Sequence, residues 1–143
     1  MTIPIAVLMV EDNRGDVVLM QEAIQSAGLP YNICVARDGV EALEFLRRQG
    51  KSAGAARPDL ITLDLKLPRK TGMEVLDEIQ LDSTLCNIPI VILSSSVSEL
   101  KIARARREPP YNCMAKPNTF EGYVELVKII EAFRKNAQKE GAS

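Results

Sequence analysis

Six consecutive apolar residues, Ile5-Ala6-Val7-Leu8-Met9-Val10, stop at Glu11-Asp12-Asn13. A run with no polar alternation reads as a strand buried on both faces, as the strands of a parallel sheet are. The pattern returns at Asp59-Leu60-Ile61-Thr62-Leu63-Asp64 and at Pro89-Ile90-Val91-Ile92-Leu93, which ends on Ser94-Ser95-Ser96. Tyr31 to Ala36 is a shorter strand interrupted by Asn32. Tyr111 to Ala115 is a less hydrophobic fifth strand, followed by Lys116-Pro117. Helical spacing fills the intervals, over Asp16 to Ala27 (stopped by Gly28), Gly39 to Arg48, Met73 to Leu81 and Val97 to Arg106. A last helix opens on Asn118, with Glu121 three residues later as in a capping box. It carries the stripe Phe120, Tyr123, Val124, Val127, Ile130 and Phe133. Strands that alternate with helices predict an α/β domain around a parallel sheet. A chain of 143 residues predicts one domain over 1–143, with its core over about 5–135 and a polar tail over 136–143.

In such a sheet, ligands sit beyond the carboxyl ends of the strands. Those ends carry the chemistry here: Glu11 and Asp12 after the first strand, Asp64 on the third, Ser94 after the fourth and Lys116 after the fifth. Carboxylates within about 4 Å would repel by roughly 4 kcal/mol per pair at an effective dielectric near 20. The cluster therefore needs a cation or raised pKa values. Lys116 alone cannot neutralise Glu11, Asp12 and Asp64. Hard oxygen ligands suit Mg²⁺, a metal of phosphate-bearing sites. An Asp in that setting can be a nucleophile towards phosphorus, with catalysis by positioning and charge neutralisation.

Composition removes other classes. The chain has no histidine, which excludes Ser-His-Asp and Cys-His catalysis and an internal phosphohistidine relay. With no histidine and no C-x-x-C pair, the three cysteines Cys34, Cys86 and Cys113 cannot build a common zinc site, and they read as free thiols of a reducing cytosol. A net charge of −1 gives no electrostatic reason for a nucleic-acid partner. The apolar run at Ile5–Val10 is too short to span a membrane and lacks the basic flank of a signal peptide.

With Val10-Glu11-Asp12-Asn13, Asp64-Leu65-Lys66-Leu67-Pro68, Gly72, Ser94-Ser95 and Lys116-Pro117 in this order, the chain resembles a response-regulator receiver domain over about residues 5–135. Arg37-Asp38-Gly39-Val40-Glu41-Ala42-Leu43, Asp16 after Glu11-Asp12-Asn13, and the long loop before Arg57-Pro58-Asp59 resemble the single-domain regulators that partner phytochrome-type histidine kinases. The resemblance implies a flavodoxin-like receiver fold with strand order 2-1-3-4-5 and five flanking helices. It implies that Asp64 takes a phosphoryl group from a sensor histidine kinase or phosphotransfer protein, in a Mg²⁺-dependent reaction in which Mn²⁺ can substitute. Asp12, Asp64, Glu11 and the backbone carbonyl of Lys66 would hold the metal. Lys116, Ser94 and Ser95 would meet the phosphoryl group, and Lys116-Pro117 would be a cis peptide. The chain would then be a stand-alone cytoplasmic phosphoacceptor rather than a turnover enzyme, acting on an unidentified output protein or as a homodimer.

Two positions depart from the family pattern. Cys113 stands three residues before Lys116, where an aromatic residue is usual, and Glu108-Pro109-Pro110 replaces a Gly-Ala turn. Lys66 and Arg69 read as solvated loop charges. Lys101, Arg104, Arg106 and Arg107 form a basic helix face. Asn13 reads equally as a helix cap or a site residue, and Ser96 as a cap. The competing reading is a receiver-like interaction module that is never phosphorylated. A hydrolytic aspartyl-phosphate phosphatase is disfavoured because Lys66 occupies the position where such enzymes carry a second carboxylate as general acid.

Overall fold

The computed structural model describes residues 4–48, 57–105 and 111–141. The strands are β1 (Ile5–Val10), β2 (Tyr31–Ala36), β3 (Leu60–Asp64), β4 (Ile90–Ser94) and β5 (Tyr111–Ala115). The helices are α1 (Arg14–Ser26), α2 (Gly39–Leu46), α3 (Gly72–Gln80), α4 (Val97–Arg104) and α5 (Phe120–Gly141). All strand pairs are parallel, in the order β2-β1-β3-β4-β5 expected of a receiver fold. From β1, one strand in from the edge, the chain runs out to β2, then crosses to β3 on the other side of β1. The switch point therefore lies between the carboxyl ends of β1 and β3.

The central strands are almost wholly apolar because both faces are covered. Leu8, Val10, Ile61, Leu63, Ile90 and Ile92 pack in one cluster with Leu43, Val75, Leu76, Ile79, Leu100 and Ala103 of α2, α3 and α4. Val7, Met9, Leu60, Val91 and Leu93 pack in the other with Met20, Ala23 and Ile24 of α1 and Tyr123, Leu126, Val127 and Ile130 of α5. The edge strand β2 is covered less completely and exposes Asn32 and Cys34.

Caps explain where the helices begin. Asn13 accepts a hydrogen bond from the Asp16 N–H, so α1 opens at Arg14 rather than at Asp16. Thr71 and Glu74 form a full capping box, which starts α3 one residue earlier than the periodicity suggests. Ser96 caps α4, as expected. For α5 the cap is Thr119, not Asn118: the Thr119 hydroxyl accepts from the Gly122 N–H at 3.0 Å. Arg48 takes a left-handed φ of 56° just past α2, which closes at Leu46 rather than at Arg48. The polar segment expected as a tail continues α5 to Gly141. Arg106, Arg107 and the Pro109-Pro110 turn lie outside the described residues, as does most of the loop before Arg57.

Candidate functional site

β1 and β3 deliver the acidic residues to the switch point. The Glu11 N–H donates to the Ala36 carbonyl at 2.9 Å, which extends the β1–β2 ladder by one residue and fixes the Glu11 backbone. Asp64 is the last residue of β3 and is paired with Leu93 of β4. Behind it, the Gly72 N–H donates to the Leu65 carbonyl at 3.0 Å. A Cβ at Gly72 would collide with the Asp64 carbonyl and the Leu65 backbone, so only glycine lets α3 pass this close to Asp64. Glu11 and Asp64 are buried and Asp12 is exposed. Their carboxylate oxygens lie within 4.8 Å of one another.

Lys116 follows β5, and its N–H donates to the Ser94 carbonyl at 3.0 Å. Its ammonium lies 2.6 Å from Glu11 Oε1, 2.9 Å from Asp64 Oδ2 and 3.0 Å from Asp16 Oδ2. Burial works against the ammonium, but three carboxylate partners outweigh it and hold the Lys116 pKa above the ordinary range. Burial, with Asp64 beside it, pushes Glu11 up to about 7 against the opposing pull of Lys116. Four carboxylates thus face one ammonium, and the site retains negative charge.

Glu11, Asp12, Asp64, Lys116, Lys66, Ser95 and Pro117 line one open cleft of about 360 Å³. Asn13 both caps α1 and lines this cleft. Ser94 is buried, and its hydroxyl accepts from the Ser96 N–H at 3.0 Å. Ser95 is the exposed serine of the pair. The Lys66 N–H donates to Asp64 Oδ1 at 3.2 Å, while its exposed ammonium meets Glu99 at 3.7 Å, a pair of little energetic weight. Arg69 is exposed yet pairs with Asp38, the cap of α2, at 3.2 Å. Arg104 reaches back to the Cys113 carbonyl at 3.3 Å instead of standing free on a solvated face. The residue that sequence reasoning did not place in the site is Asp16. The carboxylates that touch Lys116 are Glu11, Asp64 and Asp16, while the acidic cluster expected from the strand ends, Glu11, Asp12 and Asp64, is the set of close carboxylates.

The family model for the response regulator receiver domain matches residues 7–130. This chain belongs to that family. Receiver domains are the phosphoryl-accepting partners of two-component signalling, and that is its functional class. Response regulator Rcp1 of Synechocystis sp. is 37% identical over 131 residues, 91% of this chain and 88% of Rcp1. The crystal structure of the phosphorylated cyanobacterial phytochrome response regulator RcpA superposes with a TM-score of 0.82 at 41% identity, covering 92% of this chain and 94% of that one. The Mn²⁺-bound form of Rcp1 gives a TM-score of 0.78 at 34% identity, covering 91% and 94%. The likeness to phytochrome-associated regulators therefore holds in sequence and in fold.

Receiver domains bind Mg²⁺ through acidic residues, and this receiver has the donors for it: hard carboxylate oxygens, close together, with excess negative charge that one lysine leaves unbalanced. Among the described residues no helix is long and apolar enough to cross a membrane.

Proposed function

We propose that Asp64 accepts a phosphoryl group from a phosphohistidine on a sensor histidine kinase or a phosphotransfer protein. The observation that carries this reading is the setting of Asp64. It is a buried carboxylate on a strand end at the switch point, 2.9 Å from an ammonium and beside two further carboxylates, and it opens into a cleft. A carboxylate oxygen of Asp64 attacks phosphorus and the P–N bond breaks. Its electron pair returns to the donor imidazole, which takes up a proton. Glu11, Asp12 and Asp64, with the Lys66 backbone carbonyl, would hold Mg²⁺, which when bound supplies positive charge to the phosphoryl oxygens. Lys116 gives up its contact with Asp64 and pairs with a phosphoryl oxygen instead, so no new cation has to be recruited.

Ser94 provides the readout. Its hydroxyl accepts from the Ser96 N–H, so a rotation that aims it at the phosphoryl group shifts that contact. Ser96 is the cap of α4, so the rearrangement pulls on the start of that helix. Cys113 is buried in the same cluster as Leu100 and Ala103 of α4 and presents no swinging ring. The signal then passes through the α4 end, in the cytoplasm, to an output protein or a second copy of this chain. Incubation with a small acyl phosphate and Mg²⁺ should add one phosphoryl group to the wild type and none to Asp64→Asn. Equal labelling of the two proteins would refute the assignment.

A further inference from the structure

Three carboxylates hold Lys116, and they are not equivalent. Glu11 and Asp64 belong to the set whose oxygens lie within 4.8 Å of one another, the donors for a divalent cation. Asp16 touches the same ammonium at 3.0 Å but stands outside that set. It is also the most open of the three, with 27% of its side chain exposed against 7% for Glu11 and for Asp64.

Asp16 is also held in place. It is the third residue of α1, and its N–H is fixed by the Asn13 side chain at 3.0 Å. The buried Tyr123 hydroxyl of α5 interacts with its carboxylate. A side chain in the first turn leans towards the amino end of its helix, here back over the end of β1. The carboxylate is therefore aimed at the cleft rather than at solvent.

A divalent cation and an ammonium cannot share Glu11 and Asp64 without repulsion. Lys116 has to move off those oxygens as the cation arrives, yet stay close enough to meet a phosphoryl oxygen. We infer that Asp16 is a positioning residue: it is the alternative anchor that draws Lys116 away from Glu11 and Asp64 and holds it at the rim of the site. Without this anchor, Lys116 leans on the two metal-donor carboxylates alone and competes with the cation for them. The inference rests on the acidic cleft being the cation site.

Calorimetric titration of Mg²⁺ into four proteins tests it: wild type, Asp16→Asn, Lys116→Met and the double variant. Lys116→Met should bind Mg²⁺ more tightly than wild type because a competitor is gone. Asp16→Asn should weaken binding roughly tenfold with Lys116 present, but only about twofold in Lys116→Met, where the residual effect is a screened charge at longer range. Asp16→Glu, which keeps the anion, should stay within about threefold of wild type. Equal factors in the two backgrounds, no weakening at all, or a tenfold loss in Asp16→Glu as well would overturn the role of Asp16. Should Asp16→Asn not fold, Asp16→Ser serves in the same cycle. A wild type that binds no Mg²⁺ would instead sink the cation site itself, a result distinct from failure of the cycle.

Discussion

Removal of the Lys116 ammonium leaves Glu11, Asp64 and Asp16 facing one another without a counter-charge. Contacts of 2.6, 2.9 and 3.0 Å each correspond to about 6 kcal/mol of gross Coulomb attraction at an effective dielectric of ~20. Most of that is offset by the desolvation of the charges. The measured cost of removing one partner from a buried ion pair is about 3–5 kcal/mol. Glu11 lowers it, because its carboxyl is already pushed up to about 7 and takes a proton easily near neutral pH. The expectation for Lys116→Met in chelator at pH 7 is thus the lower end, ~3 kcal/mol, or a fall of about 10 °C in Tm for a domain of this size. Excess Mg²⁺ replaces the missing charge and should recover most of the loss, by mass action on the folded state. Thermal unfolding followed by circular dichroism, in chelator and in excess Mg²⁺, reads both quantities. A variant as stable as wild type in chelator, or a deficit that Mg²⁺ leaves unchanged, would refute the electrostatic account of the site.

Three further perturbations probe other parts of the account. Gly72→Ala puts a methyl group against the Asp64 carbonyl. It should destabilise the fold by about 1–3 kcal/mol and slow acyl-phosphate labelling by roughly 10–100-fold through displacement of the acceptor, whereas wild-type labelling kinetics would contradict the close-packing argument. The buried Thr62 hydroxyl has no hydrogen-bond partner among the described residues, so Thr62→Val should stabilise by about 1 kcal/mol in urea unfolding. A loss of that size would mean that the hydroxyl is satisfied in solution. At the far end of the sheet, the Glu131 carboxylate accepts from Tyr31 at 2.9 Å and from Arg134 at 2.7 and 3.0 Å. Burial alone would raise its pKa, but these donors outweigh it and hold it below the ordinary carboxylate range. A depressed carboxylate contributes stability above its unfolded pKa and loses it as pH falls through the folded one. The urea-unfolding difference between wild type and Glu131→Gln, about 2 kcal/mol at pH 7, should therefore shrink below pH ~4.5. A constant difference down to pH 3 would contradict it.

The parts of this fold that could be read directly were those where burial on both faces erases alternation. β1 and β4 are continuous apolar runs and β3 a nearly continuous one for that reason, and the polar residue that ends each run marks the carboxyl edge where the site lies. Asp16 escaped because, within a helical pattern, an acidic residue near the amino end reads as a favourable first-turn charge. The signal that could have found it is the Asn13 cap: with α1 opening at Arg14, Asp16 is its third residue rather than its first, and its side chain leans back over the end of β1. Thr119 displaced Asn118 as the cap of α5 because either residue can serve, and one position of offset is beyond what a capping pattern resolves. The end of α5 read as a tail because it lacks apolar residues. Lys, Ala, Gln and Glu are nevertheless good helix formers, and a helix already nucleated on the core extends through them.

The phosphoryl group should land on Asp64 and on no other carboxylate of the cleft. The most direct measurement is site mapping: the protein is labelled with a small acyl phosphate in Mg²⁺, the labile acyl phosphate is trapped by borohydride reduction, and the peptides are read by mass spectrometry. The expected result is one modified residue, Asp64, with Glu11, Asp12 and Asp16 intact. Modification at Glu11, Asp12 or Asp16, or none at all, would contradict it.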